Sequence, residues 1–144
     1  MSGHFSAIDI SASGLAAERL RMEITANNIA NAGTTKTETG EPYRRQAVVF
    51  STAMQQQAAG SAQGQFQGVE VVGIEGDMSE FPLVYNPGHP HANEDGFVQL
   101  SNVKIPEEMV DLITASRSYE ANARAISLFR EMVEQTLSLL QGGR

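Results

Sequence analysis

The sequence predicts a mixed α/β chain in the α+β sense, with a long heptad-patterned helix at each end and a small β-rich module between them. Two observations carry this. Apolar residues recur in alternating steps of three and four along both terminal segments, the spacing that keeps one stripe of a helix against a partner. Between them, short runs of β-branched and aromatic residues are punctuated by Gly and Pro, the pattern of brief strands and turns. The expected division is residues 1–33, 34–103 and 104–144.

In the first segment Phe5, Ile8, Ala12, Leu15, Met22, Ala26 and Ile29 form the seam, interrupted at Arg19. Asn31-Ala32-Gly33 supplies the stop, with Gly33 suited to the left-handed position beyond a helix end. About 28 residues of helix reach roughly 42 Å. In the last segment Met109, Leu112, Tyr119, Ala123, Ile126, Val133, Leu137 and Leu140 keep the phase, with Ser116 and Arg130 as exceptions. Pro106 fits a first helical turn, and Glu107 and Glu108 complement the positive end of the helix dipole. Two such stripes predict a coiled-coil-like antiparallel hairpin.

A hairpin leaves a second set of apolar residues without a partner. The first helix carries Ile10, Ala17, Leu20 and Ile24 on another line, and the last carries Ala121, Ala125, Leu128, Met132 and Leu139. Helices apolar on two faces must be covered on both, because each exposed side chain forgoes about 1.5–3 kcal/mol of burial. These nine residues are therefore candidate contacts to other subunits. Asn27, Asn28 and Asn31 join them. Asn weakens a helix interior, and helix-end chemistry explains Asn31 better than Asn27, whereas buried amides discriminate sharply between alignments of neighbouring chains.

The middle opens with a polar linker, Thr34 to Pro42. Strands are expected over Tyr43–Phe50, Phe66–Ile74, Phe81–Tyr85 and Phe97–Leu100, with a low-complexity, flexible loop over residues 52–65. His89-Pro90-His91, with Asn93, Glu94 and Asp95 nearby, is the one cluster resembling a metal site. His-x-His without a third ligand is a weak pattern, and a rigid turn explains it as well. No metal and no cofactor are expected. No nucleophile elbow or phosphate-binding glycine loop is present, so no catalytic residue is assigned and no enzyme is expected.

Composition narrows the partners. The net charge is −7 and basic residues are scattered, which argues against nucleic acid. There is no Cys, which removes disulfides and thiolate chemistry. No apolar run approaches a membrane span. The opening residues Met1–Asp9 lack the basic and apolar regions of a secretory signal, so no cleaved signal peptide is expected.

Five stretches together resemble the flagellar axial proteins of the rod and hook. They are Ile8–Leu15, Ala26–Thr35 (Ala-Asn-Asn-Ile-Ala-Asn-Ala-Gly-Thr-Thr), Pro42-Tyr-Arg-Arg45, Tyr85–Gly96 and Glu107–Asn122. Within that family the short length and the Tyr85–Gly96 stretch are similar to the proximal-rod subunits. His91 departs from the pattern, standing where an acidic residue is expected. The resemblance implies a structural rod subunit of the bacterial flagellar basal body, in its periplasmic portion. It implies export by the flagellar type III apparatus without a cleaved signal. The implied partners are other copies of the chain and other rod proteins, with terminal helices in an inner tube that transmits motor torque to the distal rod and hook. An axial subunit of another rod layer, a soluble coiled-coil adaptor, and an enzyme using the His89/His91 turn are the competing readings.

Overall fold

The computed structural model describes residues 2–55 and 65–141, and the side-chain surroundings of residues 7–52 and 68–140. In chain order the elements are α1 (Ser2–Asn31), β1 (Gln46–Gln55), β2 (Gln65–Gly76), β3 (Leu83–Tyr85), β4 (Phe97–Gln99) and α2 (Ile105–Gln141). β1 pairs with β2 in one two-stranded sheet, and β3 with β4 in another. The second is antiparallel, with Leu83 opposite Gln99, Val84 opposite Val98 and Tyr85 opposite Phe97. This is the expected α+β arrangement of terminal helices around a small strand-bearing middle.

The strands differ in extent from the sequence reading. β1 starts at Gln46, because the preceding backbone donors are engaged elsewhere. Tyr43 N–H donates to the Thr34 carbonyl (3.1 Å) and Arg45 N–H to Asn102 Oδ1 (2.7 Å). β1 then continues through Gln55 and β2 begins at Gln65, so strand takes both margins of the expected 52–65 loop. The rest of that loop, 56–64, lies outside the described residues.

The chain forms two compact units: Met1–Arg19, Phe50–Val72 and Ala115–Arg144 in one, Leu20–Val49 and Gly73–Thr114 in the other. In the second unit the helices meet in antiparallel order, Asn28 against Glu108 (2.9 Å) and Arg21 against Asp111 (3.3 Å). In the first, Gly14 lies so close to Asn122 that an added Cβ would sit 2.9 Å from its amide nitrogen.

Buried apolar side chains among the described residues are small: Ala17, Val98 and Ala115. Thr25, Asn28, Ser101, Asn102 and Glu108 are buried in the second unit, which also holds Val98, while Ala17 and Ala115 belong to the first. The helix rotation follows from this. On α2 the innermost line is Glu108, Ala115 and Asn122, one position off the expected Met109, Ser116 and Ala123, and Met109 is exposed. On α1 the innermost line is Gly14, Ala17, Thr25 and Asn28. Leu15, Met22 and Ile29 of the expected seam stay half-buried, while Ala12 and Ala26 are exposed. Small residues permit the closest approach, and paired polar groups fix which ones meet.

Candidate assembly surfaces and the polar hub beside α2

Asn28 is the centre of the second unit. Its side-chain amide bonds both backbone groups of Gln46: Nδ2 donates to the Gln46 carbonyl (2.8 Å), and Oδ1 accepts from Gln46 N–H (3.0 Å). A strand partner would bond the start of β1 in the same way. The remaining capacity of the amide is also used, with Nδ2 donating to Glu108 Oε2 and Tyr43 O–H donating to Oδ1 (2.9 Å each). Four bonds fill the capacity of an Asn side chain, apart from weaker shared contacts.

Glu108 enters from the first turn of α2 and is only 1% exposed. Arg45 Nε donates to its Oε1 at 2.6 Å, a charge-assisted bond that stabilises a carboxylate removed from water. The same guanidinium reaches Asp111 (3.5 Å) and Asp77 (4.0 Å). Burial alone would lower the Arg45 pKa, but the Glu108 bond and the charges of Glu108, Asp77 and Asp111 outweigh it and hold it above its ordinary value. Burial, aided by the Glu108 charge, raises the Tyr43 pKa. Asn102 extends the hub, donating to the Asp77 carbonyl (3.0 Å) and Ser79 Oγ (2.9 Å). Hydrogen bonds from Ser79, its backbone first, hold the Asp77 carboxyl below the usual carboxylate range. The hub thus ties the end of α1, the entrance to β1, the turn after β2 and the start of α2 into one network.

The sequence reading placed Asn28 among candidate contacts between subunits, and its bonds are all made within its own chain. Asn31 and Asn27 pair with each other, Asn31 Nδ2 donating to Asn27 Oδ1 (2.8 Å) and to its carbonyl (3.0 Å). Asn27 is exposed and Asn31 half-buried. Of the apolar candidates on α1, Ala17 is buried, Leu20 and Ile24 are half-buried and Ile10 is exposed. On α2, Ala125 is half-buried and Ala121 exposed, with Leu128 (59%), Met132 (55%) and Leu139 (78%) exposed as well. Tyr43, Arg45 and Asn102 are not among the residues the sequence assigns to a site, and Glu108 is expected there only to complement the helix dipole. The signal was Arg44-Arg45 and Glu107-Glu108, adjacent like charges of opposite sign, which resemble solvated pairs until one member of each is brought together.

The distal end of α2 is the reverse of the hub. Every residue from 131 to 140 is exposed. Val133, Leu137 and Leu140, expected in the hairpin seam, are exposed with Leu128, Met132 and Leu139. On a helical wheel Met132, Val133, Thr136, Leu137, Leu139 and Leu140 share an arc of about 160°, with Glu131, Glu134 and Ser138 opposite. This is an amphipathic helix end whose apolar side is uncovered.

The His89–His91 turn uses its rings to hold itself. His91 N–H donates to His89 Nδ1 (3.1 Å), His91 Nδ1 bonds Thr35 Oγ1 (2.8 Å), and the rings meet edge to face at 5.3 Å. Among the described residues no three His, Cys, Asp or Glu side chains are grouped to hold a metal ion. No described helix is long and apolar enough to cross a membrane.

Long terminal helices around a strand-bearing middle, with an uncovered amphipathic end, define an assembling axial protein. Two sequence families agree: one described as flagella basal body rod protein matches residues 8–36, and one described as flagellar basal body rod FlgEFG protein C-terminal matches residues 94–139. Over nearly its full length the chain is similar to curated flagellar basal-body rod proteins FlgC. It is 41% identical to that of Borreliella burgdorferi, covering 97% of this chain and 99% of the relative. For Bacillus subtilis the identity is 40%, over 94% and 97%. For Salmonella typhimurium it is 39%, over 92% and 95%. The chain belongs to the FlgC family of flagellar basal-body rod proteins.

Proposed function

We propose that this chain is a structural subunit of the proximal rod of the flagellar basal body, built into the rod through its terminal helices. Its partners are other copies of itself and other rod proteins, and the assembly passes motor torque to the distal rod and hook. It reaches the periplasm through the flagellar export apparatus. The observation that carries this reading is the uncovered apolar side of α2 from Leu128 to Leu140, in a chain whose relatives are rod proteins. Several aligned apolar side chains in water are a liability that neighbouring helices remove. Stiffness under torque then follows from many packed contacts, and the role requires no reacting group.

The test is the double variant Leu128→Asp/Met132→Asp. Both side chains are already exposed, so the subunit folds and is exported, while rod growth and swimming are lost. Swimming at the normal rate refutes the reading. An axial subunit of another rod layer is the second reading, favoured by the family description matched at residues 94–139. Localising the tagged chain along isolated basal bodies separates the two.

A further inference from the structure

The acidic segment Glu75-Gly76-Asp77-Met78-Ser79-Glu80 leaves β2 under firm restraint. Asp77 N–H donates to the Arg45 carbonyl (2.8 Å), and Ser79 N–H to Asp77 Oδ1 (2.9 Å). Arg44 Nη1 donates to the carbonyls of Asp77 (2.8 Å) and Ser79 (3.2 Å), while its guanidinium lies over the Phe81 ring at 4.3 Å. These bonds flank Met78 on both sides. Its side chain is nevertheless 83% exposed, the most of any large apolar residue described. An exposed Met is ordinary by itself. One whose backbone is braced before and after it is preorganised for a contact.

A cavity of about 520 Å³ in the same unit has the complementary character. Its floor is the outer face of the β3–β4 hairpin. Val98 turns inward and is buried, while Leu83 and Phe97, on the opposite face, are exposed. The linker before β1 contributes Thr35 and Lys36, and the turn before β4 contributes His91. None of the described residues lining it is Asp or Glu, in a chain with 17 acidic and 10 basic residues. Lys36 has no hydrogen bond or ion pair among the described residues. The cavity therefore sets an uncompensated positive charge over an apolar floor, whose aromatic ring suits a thioether.

We propose that Met78 of one copy seats on Leu83 and Phe97 in this cavity of a second copy, with Glu75 and Glu80 drawn to Lys36. The two surfaces differ, so the contact is heterologous. It passes from copy to copy instead of closing a two-fold dimer. The proposal rests on the rod-subunit reading, in which copies meet, and adds a contact between middle modules to the packing of helices.

The chain has no Cys, so an engineered pair reports without background. Full-length Met78→Cys and Gln99→Cys, the latter in the cavity lining, are purified with tags of different size, mixed, and oxidised with copper phenanthroline. Both positions are exposed, so folding is spared. The control partner is Glu120→Cys, an exposed helix position outside both surfaces. The mixed disulfide of Met78→Cys with Gln99→Cys is expected at about tenfold the control yield, and Lys36→Glu in the cavity copy returns it to that level. Equal yields with Gln99→Cys and Glu120→Cys overturn the pairing. So does a mixed disulfide that Lys36→Glu leaves unchanged, or an excess of Met78→Cys homodimer, which marks a symmetric contact instead. The rod-subunit reading is tested separately, by the motility of Leu128→Asp/Met132→Asp. Lost motility there with no preferred disulfide here ends the Met78 contact alone.

Discussion

The hub around Asn28 and the distal end of α2 are opposite solutions to the same requirement. At the hub, polar groups are buried and their hydrogen-bonding capacity is used by the chain itself, with Asn28 and Glu108 each 1% exposed. At the distal end, apolar groups are exposed, with Leu139 at 78%. The first region is complete in the single subunit, and the second leaves its apolar side in water there. On the proposed reading a rod subunit has use for both: a fixed geometry where helices and strands join, and an open surface for neighbours.

The largest expected effect comes from removing the buried charge. Glu108→Ala leaves the Arg45 guanidinium without its closest partner and the Asn28 amide one bond short, and the monomer loses about 3 kcal/mol in denaturant unfolding. A loss under about 0.5 kcal/mol would place Glu108 among ordinary surface residues and end the contrast. Asn28→Ala follows, at about 1–3 kcal/mol, because Gln46 and Tyr43 lose buried partners. Asn27→Ala, one residue away but exposed, changes monomer stability by less than about 0.5 kcal/mol. The same limit applies to Leu139→Ala, whose effect belongs to assembled rods. Native-state hydrogen exchange sharpens the comparison without mutation: amides of residues 131–140 exchange well before the Gln46 amide, which Asn28 holds.

The smallest effect is the response to acid. The folded Asp77 pKa lies below its ordinary 3.8, so its contribution to stability is complete above that value. It is lost as pH falls through the lower folded value. Asp77→Asn removes this part of the acid dependence in pH-resolved melts, and a wild-type melting temperature that stays flat below pH 3.8 refutes it. Tyr43 acts at the other end. Its raised pKa makes stability fall as pH climbs above 10.0, and Tyr43→Phe removes that slope.

Much of the fold was legible in the chain alone. Heptad spacing over 5–29 and 109–140 determined two helices, Pro106 lies in the first turn of α2, and Val-rich runs between glycines determined the strands, whereas Gly33 follows α1 without the left-handed φ expected of it. The unbalanced apolar residues at Leu128, Met132 and Leu139 were likewise readable, because periodicity reports how many faces of a helix need covering. The rotation of the helices was decided only by tertiary structure. The sequence reading puts Ala17 on the outer line and passes over Gly14 and Ala115, whereas Ala17 and Ala115 are buried and Gly14 lies against Asn122. Glu108 was decided there too. In sequence it is one of two acids at a helix start, and its burial depends on Arg45 arriving from 63 residues away. Local pattern fixes the elements because backbone propensity and amphipathicity are local. Which polar groups become buried partners is set by pairings across the chain, and no spacing in the sequence records them.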